Sequence, residues 1–208
     1  MKTKKTKILA IGDIHGDRNM AERLAEKAKK ENVDLVVLAG DLTFGEMSTE
    51  GIIGPFTKEG KRVLIIPGNH ESLATVNFLS EAYPDTKNIH GYYFVHNGIG
   101  FFGAGLGNLG IHQINESDLF ELLKRSHETL KKKQGVEKTF MVSHIQPANS
   151  LIERIGGFPG SQSVTKAIYY FQPDIAVCGH LHESGGVEEK LGKTHVVNVA
   201  RKEKIFEI

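Results

Sequence analysis

An α/β fold built on parallel strands is the class this 208-residue sequence predicts, and three observations carry it. Short, β-branched apolar runs alternate with segments of helical periodicity. Five of the runs end in a brief polar signature, at the strand ends where an open α/β sheet gathers its ligand residues. The length suits one generous α/β domain, so residues 1–208 are read as a single domain.

Residues 7–11 form the first strand-like run, and residues 19–31 follow with Met20, Leu24 and Ala28 at helical spacing. Residues 34–39 read as the next strand, a weaker helical or loop stretch runs to Lys58, and residues 62–66 are a third strand ended by Pro67-Gly68. From Asn88 the pattern changes to a hairpin, 92–95 and 99–103, about Asn97-Gly98, a pair that readily takes the positive φ of a two-residue turn. A glycine-rich loop, 104–115, precedes the longest helical pattern, 117–133, whose acidic start and Lys131–Lys133 end complement the helix dipole. Residues 138–142 (strand), 161–171 (helix) and 174–178 (strand) come next, and the tail reads as a meander through 185–190, 194–199 and 204–208.

Composition excludes several classes. Lys and Arg number 26 against 25 Asp and Glu, a net charge of +1, without the basic excess of a dedicated binder of nucleic acid or anionic membrane. No stable nucleic-acid complex and no membrane association are expected. The basic residues 1–7 lead into a short strand-like run, unlike a secretory signal, and no apolar stretch is long enough to span a bilayer. The single cysteine, Cys178, rules out an internal disulfide and suits a reducing, cytoplasmic setting.

The five strand-end signatures are Gly12-Asp13-Ile14-His15-Gly16, Gly40-Asp41, Gly68-Asn69-His70-Glu71, Ser143-His144 and Gly179-His180-Leu181-His182. Singly, each also reads as a turn or a helix cap. Together they bring two Asp, one Asn and five His to one end of a parallel sheet. Imidazole and carboxylate donors without thiolate select borderline divalent ions. Eight such side chains exceed the needs of one ion, which points to a pair of cations about 3.5–4 Å apart sharing a carboxylate.

In this order the signatures resemble those of the calcineurin-like metallophosphoesterase superfamily, over about residues 8–199, and most of all its small Icc-related phosphoesterases of bacteria and archaea. The resemblance implies a two-sheet α/β/β/α sandwich, its mixed sheets flanked by helices. It implies that Asp13, His15 and His182 hold one metal, that Asn69, His144 and His180 hold the other, and that Asp41 bridges them. His70 is left as general acid. The expected activity is hydrolysis of a phosphodiester or small nucleotide by a metal-bridging hydroxide. Manganese is the first expectation for both ions, with Fe, Zn, Co and Ni as alternatives. A phosphomonoesterase and a non-catalytic metal-binding scaffold for protein partners are the competing readings, and a homo-oligomer is admitted. One departure bears on substrate: protein phosphatases of this superfamily extend the second signature to Gly-Asp-x-x-Asp-Arg-Gly. Here Leu42-Thr43-Phe44-Gly45 lacks both the Asp that would orient the acid histidine and the phosphate-gripping Arg.

The remaining polar residues carry weaker expectations. Asn108 and His112 are read as a substrate rim, and Arg154 with residues 156–160 as a mobile lid or a plain connecting loop. His90, His96, His127 and His195 are read as structural, Glu71 as a charge at the next helix start, and Cys178 as a buried apolar residue.

Overall fold

The computed structural model describes residues 5–208. Strand β1 (Lys7–Ile11) shows why the chain layers as it does: Ile8 and Ala10 point to one apolar cluster and Leu9 and Ile11 to another, so both faces of the strand are buried. Helix α1 (Arg18–Lys30) follows, its N-cap Asp17 accepting from the Met20 amide. Then come β2 (Leu35–Leu38), the short α2 (Gly54–Lys58), β3 (Arg62–Ile65), α3 (Leu73–Ala82) and β4 (Thr86–Asn88). This half forms a five-stranded sheet in the order β11-β1-β2-β3-β4, parallel except for its last strand, β11 (Lys204–Glu207).

The second half begins with the antiparallel hairpin β5 (Tyr93–His96) and β6 (Ile99–Ala104), turned by Asn97 and Gly98 at φ 48° and 76°. It continues through α4 (Glu116–Lys131), β7 (Lys138–Ser143), α5 (Leu151–Gly156), α6 (Gln162–Phe171), β8 (Ile175–Cys178), β9 (Glu188–Leu191) and β10 (Thr194–Asn198). Its sheet runs β5-β6-β7-β8-β10-β9, with parallel pairs from β6 to β10 and antiparallel edges.

Three apolar clusters make four layers. Met20, Leu24, Phe56, Val76 and Leu79 cover the outer face of the first sheet, and Leu119, Leu123, Ile152, Val164 and Ile168 the outer face of the second. Ile8, Val37, Leu64, Phe101, Phe140, Val177 and Val197 pack the two sheets together. The α/β/β/α sandwich is therefore present, with mixed sheets flanked by helices. Among the described residues no helix is long and apolar enough to cross a membrane.

Three elements differ from the sequence reading. Helix α3 is anticipated only as a start beside Glu71, without its extent, because it buries only Val76 and Leu79 and leaves Leu73 and Phe78 in solvent, which blurs any apolar stripe. Helix α5 occupies what reads as lid or loop; six residues between Ser150 and a left-handed Gly157 are too few for a periodicity. The tail is not one meander. Only β9 and β10 form a hairpin, β10 lies parallel to β8, and β11 crosses to pair antiparallel with β1, since an alternating pattern does not name its partner strand.

Candidate metal centre

All five signatures lie at the carboxyl ends of β1, β2, β3, β7 and β8, and the loops that carry them hydrogen-bond one to the next. The Asp13 and His15 amides donate to Gly40 O and Asp41 O at 3.0 and 2.8 Å, and the Gly179 amide donates to His144 O at 2.9 Å. Close stacking of the loops demands glycine: a Cβ on Gly40 would stand 2.6 Å from His144 Nδ1, and one on Gly179 2.6 Å from Asp13 Oδ2. Asp13, His15, Asp41 and His180 adopt left-handed backbone, at φ 61°, 51°, 51° and 72°. Such strain in non-glycine residues persists where surrounding structure imposes it, typically at functional sites.

The side chains converge on Asp41. Its Oδ2 lies 3.7 Å from His15 Nε2 and 4.0 Å from His70 Nε2, and its Oδ1 lies 3.5 Å from His144 Nε2. Three triplets bring their ligand atoms within 4.8 Å of one another: Asp13, His15, His182; His15, Asp41, His70; and Asp41, His144, His180. In the first, Asp13 Oδ1 is 3.3 Å from His182 Nε2, and His15 Nε2 is 3.2 Å from His182 Nε2. Asn69 joins the third, with Oδ1 3.1 Å from His144 Nε2.

These residues fit a bound cation. The Ala39 carbonyl 2.9 Å from His144 Nδ1 can only accept, so that nitrogen holds the proton and a neutral ring turns its Nε2 lone pair on Asp41 and Asn69. Something positive has to stand between them. His180 Nε2 and His15 Nδ1 are likewise buried with no hydrogen-bond partner. Burial pushes both rings to favour the neutral, ligand-ready form, His180 down to about 4. In the metal-free protein a proton takes the cation's place on His144. Burial alone pulls this pKa down, but the charge and hydrogen bond of Asp41 raise it to about 10. Asp41 in turn resists its own burial and stays well below the carboxylate range because His144 is charged.

This raised histidine contributes stability to the metal-free protein that is full below about pH 6.5 and is lost as pH rises through about 10. Metal needs the lone pair and expels the proton. Calorimetric titration of metal into metal-free protein near pH 7, in buffers of different ionisation enthalpy, should report release of at least about one proton per chain. Release of none would remove His144 from the ligand set.

The sequence profile of the calcineurin-like phosphoesterases matches residues 6–184. The chain belongs to this family. Its members are hydrolases acting on phosphoric esters and depend on a dinuclear metal site. No curated protein matches the sequence. Among solved structures, TT1561 of Thermus thermophilus is similar at TM-score 0.75 and 18% identity, covering 98% of this chain and 99% of that one. A dimetal phosphatase from Danio rerio aligns at TM-score 0.59 and 12% identity over 94% and 87% of the two chains. A novel archaeal phosphodiesterase aligns at 0.56 and 16% over 98% and 99%. At these identities the likeness is one of fold.

Around the phosphoesterase centre, two residues have roles that the sequence reading missed. Glu71 is not a helix-start charge, because Ser72 is the N-cap of α3. Fully buried, it accepts from the Gly68, Leu42 and Thr43 amides at 2.7, 3.2 and 3.3 Å and so clasps the second signature to the third. Burial and the nearby Asp41 charge push its pKa to about 7 against those amide bonds. Its place one residue ahead of a Ser cap was the available signal. Arg201 donates to Asp13 O and Ile14 O at 3.1 and 3.2 Å, bracing the first signature from the chain's far end, with no local motif to announce it.

The rim residues sort differently. His112 lies 3.3 Å from Glu46 and its amide donates to Asn69 O at 3.1 Å, so the glycine-rich loop backs the centre. Asn108 donates to Pro159 O at 2.9 Å and Gln146 to Phe158 O at 3.0 Å. These bonds tether residues 158–159 to the glycine-rich loop and to the turn after β7. His90 and His127 are buried within the fold, His195 pairs with Glu188 at 2.9 Å, and Cys178 is buried with its thiol pKa pushed up by burial.

Proposed function

We propose that the protein hydrolyses a phosphodiester or small nucleotide using two divalent cations. Asp13, His15 and His182 hold one, Asn69, His144 and His180 hold the other, and Asp41 is shared, with His70 left free as general acid. The observation that carries this reading is the convergence of lone pairs from His144 Nε2, His180 Nε2 and Asp41 at one buried point that no protein donor fills. When bound, the cations supply Lewis acidity that acidifies a water and neutralises phosphate charge. Manganese is the expected occupant on the N/O donor set.

Asp13, Asp41 and His144 make the buried floor of the centre, with side chains at most 4% exposed. His15, His70 and His182 form its mouth, at 15%, 25% and 45% exposed, so phosphate enters over these three rings. Two carboxylates against two dications leave the centre positive, since Asn69 and neutral histidines ligate without adding charge. His70 stands beside Asp41 and delivers its proton to the departing alkoxide. The Arg201 guanidinium is occupied by backbone carbonyls and by Asp17 at 3.5 Å, so the grip on phosphate falls to the centre itself. Without Arg201 the centre lacks one further positive charge that a monoester, at about −1.5 to −2, would use more than a singly charged diester. The activity of the similar archaeal phosphodiesterase supports the same choice.

On metal-reconstituted protein, kcat/KM for bis(p-nitrophenyl) phosphate should exceed that for p-nitrophenyl phosphate by more than about tenfold, or about 1.4 kcal/mol. The reverse order would make the protein a phosphomonoesterase. No turnover of either with manganese bound would make it a scaffold. We further propose that residues 1–208 form one cytoplasmic domain; the pairing of β11 with β1 and the single, buried cysteine support this.

A further inference from the structure

We infer that the loop 43–46, and Phe44 above all, is the device that positions His70. The inference rests on the proposed acid role of that histidine. Four successive residues of the loop touch the segment 70–72. Thr43 Oγ1 donates to His70 O at 3.3 Å, and the Phe44 ring stacks on the imidazole at 5.1 Å and 29°. The Gly45 amide donates to His70 Nδ1 at 3.1 Å, and the Glu46 carboxylate accepts from the Ser72 amide. The His15 ring also stands edge-on to the imidazole, 4.7 Å away at 85°, and edge-on to Phe44 at 5.9 Å and 66°.

A backbone N–H directed at Nδ1 requires a lone pair there, which places the ring proton on Nε2. That nitrogen faces Asp41 at 4.0 Å and the mouth of the centre. The loop is the same segment, after Gly40-Asp41, that lacks the orienting Asp of the protein phosphatases. A backbone amide and a stacked ring orient the imidazole here, the amide as a donor where a carboxylate could only accept. Phe44 keeps 57% of its surface in solvent beside a polar centre, which core packing does not account for.

Phe44→Leu removes the stacking face on His70 together with an edge contact to His15, so the comparison is made on samples matched for metal content. It should lower kcat on diphenyl phosphate, a poor leaving group, by about tenfold or more, with KM unchanged. On bis(p-nitrophenyl) phosphate kcat should stay within about twofold, and Phe44→Tyr should restore turnover of diphenyl phosphate. In metal-free protein with ¹⁵N-labelled histidine, NMR near pH 8.5 should show His70 as the Nε2–H tautomer, mixing with the other form in Phe44→Leu. A raised KM with kcat intact, equal loss on both substrates, or an Nδ1–H tautomer in the native protein would overturn the inference. The variant His70→Asn separates the two claims. If it loses both substrates equally, the acid role fails; if it is selective for the poor leaving group and Phe44→Leu is not, the positioning inference fails alone.

Discussion

Replacing Asp41 by Asn should empty the centre of both cations, lowering affinity at each site by more than about 100-fold, beyond the 10–100-fold that outer partners of a metal site cost. Turnover should fall with occupancy. Asn suits the backbone, since it tolerates the left-handed conformation at φ 51°, and its Oδ1 can still accept the His70 amide bond of 3.0 Å. What disappears is the negative charge that faces His15, His70 and His144 at once. The same change deprives His144 of the partner that keeps it protonated in the metal-free state, so proton release on loading should shrink as well. Metal analysis after dialysis, with turnover on the same samples, checks this; full occupancy by two ions would show that Asp41 is not shared.

His70→Asn tests the chemistry and leaves the metals in place. His70 belongs to one close triplet with His15 and Asp41, yet its ring is held by Gly45 and Phe44 at the mouth of the centre. Asn cannot carry a donor to the position of the lost Nε2. Turnover on diesters with poor leaving groups should drop by about 10²–10⁴-fold, equivalent to about 2.7–5.5 kcal/mol, whereas activated aryl esters should be spared. A series of aryl diesters of graded leaving-group acidity should therefore give a steeper dependence in the variant than in the native enzyme. Parallel losses along the series would deny His70 an acid role.

What could be read from the chain depended on whether the signal was local. The strands β1, β2, β3, β7 and β8 each carry a buried apolar run followed by a polar signature, and eight side chains from those signatures meet, because parallel strands deliver their carboxyl ends to one edge. The hairpin at Asn97-Gly98 was legible for the same reason, since its turn chemistry sits in two residues. The extent of helix α3 was not, because its partly exposed apolar side chains obey no stripe. Nor was the strand partnership of the tail, which depends on which sheet edge is free. The clasp made by Glu71, the brace from Arg201 and the Gly45 amide on His70 all join residues 20 or more apart in the chain. Periodicity and spacing are blind to such contacts. Residues 158–160 are held by side chains whose reach the sequence alone does not disclose, as a connecting loop would be.

On the proposed reading one aspartate holds two cations at the meeting point of five strand ends. Anomalous scattering at the manganese edge, from crystals grown with that metal, tests it most directly. Two peaks are expected, with the Asp41 carboxylate touching both, Asp13, His15 and His182 around one, Asn69, His144 and His180 around the other, and His70 bound to neither. A single peak, or a His70 nitrogen among the ligands, would contradict it.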